Sequence, residues 1–487
     1  MKKFLLLPLI LLLALAARAE VRLPALFSDN MVLQQGMNAP VWGWADDGEE
    51  VKVSFRGKTV KAKAKDGKWM VKLGKLKAGG PDSLMVEGKN RIELKNVLVG
   101  EVWVCSGQSN MELALNSAEG GKEEIARSSN PQLRLFKVGR RKANEPVDDV
   151  KAEWKDAGPE STPGFSAVAY YFGRDLQKAL NVPVGLIETC WGGSPVEVWM
   201  SERVLSSNPE YKRDILDAYA ANLNKEETSK GKAQRAPWKP TELYDGMIAP
   251  LIPYAIKGAI WYQGESNAGR AEQYRGLMPD MIRNWRQDWR EGDFTFLEVQ
   301  LAPYDKQKRR PLETILEKPV ESDWAELREA QLLATKTLPK VGEAVITDVG
   351  EKDDIHPKKK EPVGARLALA ARGIAYGEKI EYSGPIYKSL KVKDGKAILS
   401  FTHAESGLES RDGELKGFAV CGPDKNFVWA KAEIEGDKVV VSSPEVSEPV
   451  AVRYGWADFP VVNLWNKAGL PATPFRTDDF PMITAKK

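Results

Sequence analysis

Between about residues 98 and 376, short apolar runs alternate with helical stretches, and this alternation narrows the possible folds more than any other feature of the chain. VWVC (102–105) precedes NMELALNSAEGG. The helical AVAYYFGRDLQKAL (167–180) precedes VPVGLIETC (182–190). KGAIWYQ (257–263) precedes the helical EQYRGLMPDMIRNWRQDWR (272–290). TFLEVQLAP (295–303) and EAVITDV (343–349) follow, and GARLALAARGIAY (364–376) closes the series. Strands alternating with helices predict an α/β domain with a mainly parallel sheet. In such sheets ligands bind beyond the carboxyl ends of the strands. The residues just past each strand are therefore the first place to look for chemistry.

Both flanks read as β. Residues 20–97 carry alternating runs such as Val51-Lys52-Val53-Ser54-Phe55 and Trp69 to Leu73, separated by Asp66-Gly67 and Gly79-Gly80-Pro81. They predict a small N-terminal β-sandwich. Residues 377–487 return to short strands, KAILSF, GFAVCG, KVVVSS and AVRYGW, and predict a C-terminal β-rich domain. The closing NLWNKAGLPATPFRTDDFP predicts an ordered tail pinned to the body.

Residues 1–19 stand apart. Lys2 and Lys3, an apolar run and Ala17-Arg18-Ala19 have the layout of a secretory signal peptide, with a cut expected after Ala19. The run is short for a transmembrane helix. Export, to a periplasm or beyond the cell, is the expectation, with an uncleaved anchor as the alternative. The full chain has 71 basic and 68 acidic residues, and losing Lys2, Lys3 and Arg18 leaves 68 of each. A neutral mature chain gives no case for nucleic acid or an anionic membrane as partner. The run Lys358-Lys359-Lys360 reads as solvated surface.

Three cysteines, Cys105, Cys190 and Cys421, leave at least one thiol unpaired. A Cys105–Cys190 disulfide is one option, and buried free thiols are the other. No CxxC and no Cys/His spacing suits zinc, so no metal or cofactor is expected. Only His356 and His403 can supply an imidazole base.

Four strand ends carry candidate chemistry. Ser109, after VWVC, opens Ser-Asn-Met-Glu, which fits a capping box with Glu112. It also stands where free N–H groups can stabilise an oxyanion if the serine attacks a carbonyl. Asn110-Met111 departs from a G-x-S-x-G elbow. Gly192-Gly193, after the run Val184–Ile187, allows close approach of backbone to a ligand, or forms a plain turn. Gln263 ends IWYQ, and its amide can donate into an oxyanion hole. In EKDDIHP, Asp353 precedes His356 by three; the acid can accept from one ring nitrogen while the other faces the serine. His403, in SFTHAES, has no carboxylate at comparable spacing and reads as structural. Each end alone has a bland explanation as cap, turn or loop. Together they supply the parts of an acyl-transfer site.

At these residues the chain resembles the SGNH hydrolase superfamily, and within it the sialate O-acetylesterase-like carbohydrate esterases. LFSDNMVLQQG and APVWGWA are similar to that group's N-terminal β-domain. GEVWVCSGQSNM, ETCWGGSPVEVW, LYDGMIAPL, IWYQGESN and DIHP are similar to its catalytic blocks, and VRYGWADFPVVNLWNKAGLPATPFRTD to its C-terminal segment. The resemblance implies a three-layer α/β/α domain over 98–376 and a serine esterase acting on O-acetylated sugars. It implies Ser109 as nucleophile, His356 as general base and Asp353 as orienting acid. It implies oxyanion donors in the Ser109 N–H, one glycine of the Gly192-Gly193 pair, with Gly193 favoured, and the Gln263 side chain. Asp245, in LYDGM, stands where the resemblance leads one to expect an amide. Trp191, Trp199 and Trp261 flank the blocks and can serve as sugar platforms or as core. Acetylxylan or another acetylated polysaccharide is the alternative substrate, and a non-catalytic glycan-binding protein the alternative of another class. A lipid esterase would need an apolar acyl groove.

Overall fold

The computed structural model describes residues 20–222 and 238–485. The expected leader, 1–19, lies outside the described residues.

The N-terminal module holds β1 (Val32–Gln34), β2 (Asn38–Trp44), β3 (Glu50–Phe55), β4 (Lys58–Lys63), β5 (Lys68–Lys75) and β6 (Gly79–Glu87). β2 pairs antiparallel with β5. β4, β3 and β6 form an antiparallel set that continues onto β7 (Arg91–Gly107). The boundary expected between 97 and 98 therefore falls inside one strand. Residues 91–96 of β7 alternate between exposed and covered positions. From Val97 onward every residue is buried. This is the change from a half-solvated antiparallel edge to a strand covered on both faces.

The second half of β7 is the centre of the main sheet. With β8 (Asn130–Lys137), β9 (Trp154–Ala157), β10 (Val184–Cys190), β11 (Gly258–Tyr262), β12 (Thr295–Val299) and β13 (Val341–Ala344), the order is β13-β12-β11-β7-β10-β8-β9. All pairs are parallel except β8 with β9. The expected α/β class with a mainly parallel sheet is present. After β7 the chain builds out towards β8, returns to β10 beside β7, and then crosses to β11 on the other side. β7 thus ends at a topological switch point, where open α/β sheets place their ligands.

Five helices matter for the site: α1 (Ser109–Glu112), α2 (Ala167–Leu180), α3 (Ala271–Trp289), α4 (Asp323–Thr337) and α5 (Glu361–Ile374). α2 starts where Ser166 Oγ accepts the Ala169 N–H and ends at left-handed Asn181. α4 starts in the same way on Ser322. Alternate β7 side chains enter two cores. Val102 and Val104 join Met281 and Trp285 of α3, while Trp103 and Cys105 join Phe172 of α2 and Leu367 of α5. Two helix layers therefore sandwich the sheet.

The C-terminal region folds into two four-stranded antiparallel sheets and a two-stranded one around its own core. It packs against the catalytic body through arginines. Fully buried Arg328 of α4 donates to the carbonyls of Leu301, Ala302, Ala457 and Asp458, and Arg476 pairs with Glu329.

All three cysteines are free and buried. The register sets Cys190 opposite Gly107 and Cys105 opposite Glu188, so the two thiols are offset by two residues along neighbouring strands and no disulfide forms. Among the described residues, no helix is long and apolar enough to cross a membrane.

Candidate active site

β7 closes on Gly107, where a side chain fits only if its neighbours move. Its φ is +139°, and a Cβ would stand 2.2 Å from Tyr262 O at the end of β11. The close approach turns the chain so that Ser109 follows directly on the strand end. The cap of α1 is Gln108, in extended geometry, and not Ser109. Gln108 Oε1 instead faces the Gly264 and Ser266 N–H groups, both at 3.4 Å. Ser109 makes no cap bond, and its Oγ lies 2.8 Å from His356 Nε2. Serine and imidazole, 247 residues apart, meet at hydrogen-bond distance.

Burial holds the His356 ring below the usual histidine range. Asp354 opposes that shift and Lys360 adds to it. The base is therefore neutral and able to accept a proton near neutral pH.

Asp353, expected beside the ring, is exposed and turned away. Its Oδ1 accepts from Lys352 Nζ at 2.8 Å and from the Arg309 N–H at 2.7 Å. Asp354 is the acid that meets His356, with its Oδ1 on the His356 backbone N–H at 2.9 Å. The D-x-x-H spacing is present, but the local turn closes on the nearer carboxylate.

The Gly192-Gly193 turn reaches the nucleophile. A Cβ at Gly192 would stand 3.1 Å from Ser109 Cβ. The Gly192 N–H is taken by Glu112 Oε2 at 2.8 Å. Gly193 has φ +75° and is exposed. Among the described residues, the N–H groups of Ser109 and Gly193 have no protein acceptor. Gln263 is different: it is fully buried, and its amide nitrogen donates to Asn267 Oδ1 at 2.7 Å and Ser194 O at 3.2 Å. Its Oε1 accepts from Tyr274 OH at 3.0 Å. Both amide hydrogens are committed, so Gln263 braces the 192–194 turn and does not face Ser109 as an open donor.

Sequence reasoning missed a buried network behind the serine. Asn110 Nδ2 donates to Ile355 O at 3.0 Å and Glu265 Oε1 at 2.6 Å, and Asn110 Oδ1 accepts from Lys360 Nζ at 2.6 Å. Asn110 thus ties the nucleophile turn to the residue before the base. Lys358 and Lys359 are exposed, but Lys360 is fully buried, which corrects the reading of that run as solvated surface. Burial pulls the Lys360 ammonium down to about 7, against the pull of Glu265.

Of the three tryptophans, Trp199 and Trp261 are core, stacked edge to face at 6.1 Å. Trp191 stays partly open and meets Trp238 edge to face at 5.4 Å. Asp245 is buried, and its Oδ2 accepts from Thr241 Oγ1 at 3.0 Å, so it serves the helical turn around it. His403 pairs with Glu381 at 2.7 Å within the C-terminal region.

These parts set a serine and an imidazole at the carboxyl edge of an α/β sheet. Residues 99–370 match the family described as carbohydrate esterase, sialic acid-specific acetylesterase. The chain belongs to that family and is a carboxylic ester hydrolase. It is 29% identical to the sialate O-acetylesterase of Homo sapiens, over 97% of this chain and 95% of the relative. The sialate O-acetylesterase of Mus musculus is also 29% identical, over 93% of each. A solved carbohydrate acetylesterase from Xanthomonas citri superposes with a TM-score of 0.84 and 40% identity, covering 95% of this chain and all of that one.

Proposed function

We propose that this chain is an exported serine esterase that removes O-acetyl groups from sialic acids, with Ser109 as nucleophile and His356 as its base. The observation that carries the mechanism is the 2.8 Å contact between Ser109 Oγ and His356 Nε2, and burial of the ring favours its neutral form. Ser109 Oγ attacks the acetyl carbonyl while His356 takes its proton. The oxyanion is received by the N–H groups of Ser109 and Gly193. Collapse breaks the ester bond, and His356 returns the proton to the departing sugar hydroxyl. Water, activated by the same ring, then releases acetate. Gln263 acts behind the oxyanion donors by bracing Ser194 O, and Asp354 steadies the backbone of the base and favours its charged form. The substrate class is supported by the family and the curated relatives. The leader-like residues 1–19 support export.

The test measures acetate released from p-nitrophenyl acetate, O-acetylated sialic acid and acetylxylan by wild type and Ser109→Ala, on protein recovered from the exported fraction with its mature mass determined. Wild-type turnover lost in the variant, with sialic acid the better sugar and a chain beginning at Glu20, is the expected result. Undiminished turnover in Ser109→Ala overturns the mechanism. Preference for acetylxylan moves the substrate to polysaccharide, and a retained leader removes the export claim.

A further inference from the structure

The wall beside Ser109 carries a cation that the reaction does not use. Arg140 follows the carboxyl end of β8. Its Nε donates to Glu112 Oε1 at 2.8 Å, and its Nη2 pairs with the same oxygen. Glu112 in turn holds the Gly192 N–H at 2.8 Å, and Gly192 lies against Ser109. The guanidinium also sits over the Trp191 ring, 5.3 Å from its centroid. Glu112 on one edge and the indole beneath therefore hold it in one orientation. Its Nη1 has no protein acceptor among the described residues, and the side chain is 52% exposed. Lys142 extends the basic edge, 4.2 Å over Trp238 and paired with Glu242 at 2.7 Å. Arg140 and Glu112 also line an open cleft of about 840 Å³ bordered by Lys155, Ser161 and Phe165, which runs beside the Ser109 wall and is not lined by Ser109 or His356.

We propose that Arg140 is the residue that selects an acidic sugar, its open Nη1 edge receiving the substrate carboxylate while the acetyl ester lies at Ser109. This rests on the reading of Ser109 and His356 as the reacting pair and of sialic acid as the sugar. A planar, pre-oriented guanidinium suits a carboxylate better than a mobile ammonium does. Glu112 neutralises part of the charge, so the site favours one carboxylate without becoming a general anion trap.

The test compares kcat/KM for O-acetylated sialic acid with that for its methyl ester, in which the carboxylate is neutral. The ratio within one protein removes any loss common to both substrates, including disturbance of Glu112 and Gly192. A charge-assisted hydrogen bond predicts that wild type prefers the free acid by about 10- to 100-fold. Arg140→Met should bring that ratio to about 1, mainly through KM for the acid, and Arg140→Lys should leave it between the two. A wild-type ratio near 1 overturns the proposal without any variant, as does an undiminished ratio in Arg140→Met. If wild type releases acetate from p-nitrophenyl acetate but from neither sialic acid form, the sugar assignment fails and takes this proposal with it, while the serine mechanism stands.

Discussion

The imidazole of His356 must be neutral to take the Ser109 proton, and its surroundings favour that form. Burial lowers its pKa from the ordinary 6.5, Asp354 raises it, and Lys360 lowers it again. Activity should therefore rise with pH through an acid limb below 6.5 and hold above it, because the protonated ring cannot act as base. Removing the charge that raises the pKa must move the limb to lower pH, so Asp354→Asn should shift it down, while Asp353→Asn leaves it in place. A pH–rate profile of kcat/KM on p-nitrophenyl acetate checks both. A limb moved by Asp353→Asn alone would return the orienting role to that residue. Much at this scale was legible in the sequence: Ser109 stood at a strand end, and His356 was one of two histidines. Which neighbouring aspartate bonds to His356, through its backbone N–H, was not, because spacing along a turn does not fix where each carboxylate points. Lys360 was hidden within a basic run. Its signal was position, since it caps the start of α5, where the helix dipole disfavours a cation.

At the level of elements, the site depends on how β7 ends. Apolar runs and helical stretches marked the parallel strands, and the residues past β7, β10 and β11 do converge at the carboxyl edge. The start of the sheet was misplaced for a physical reason. Alternation up to residue 96 and the continuous apolar run after it looked like two elements, yet one 17-residue strand passes from one module into the next. Gly107 is the terminus that makes this strand useful. Any Cβ there meets the Tyr262 carbonyl at 2.2 Å, and φ +139° is strained for every residue with a side chain. Gly107→Ala should cost roughly 3 kcal/mol or more from backbone strain and overpacking together. It should also push Ser109 away from His356, so activity should fall further than the folded fraction does. Chemical denaturation alongside turnover per folded molecule measures the two losses separately. An alanine variant with wild-type stability would show that the strand ends can part at little cost.

Across the whole molecule, the C-terminal region is bound to the catalytic body by buried cations rather than by a flexible tether. Arg328 is the centre of that junction. It lies on α4, below the surface, and its guanidinium serves two carbonyls from the catalytic body and those of Ala457 and Asp458 from the C-terminal region. Arg453 reaches Glu321 from the C-terminal side, and Arg476 reaches Glu329. The sequence announced an ordered tail through its aromatics and prolines, but it could not name Arg328, because a lone arginine in a helix reads as surface. Replacing it with leucine leaves the Leu301 and Ala457 carbonyls without a donor, while Ala302 O keeps the Trp324 indole N–H and Asp458 O keeps the Tyr304 N–H. Each buried acceptor left unmatched costs about 1–3 kcal/mol and water entering the junction recovers some of it, so Arg328→Leu should destabilise the protein by about 2 kcal/mol or more. A junction of this kind couples the two regions, so wild type should melt in one calorimetric transition. Arg328→Leu should lower that transition or split it into two, with the C-terminal region melting first. A variant that melts as one unit at the wild-type temperature would show that the apolar contacts between the regions hold them together without the arginine.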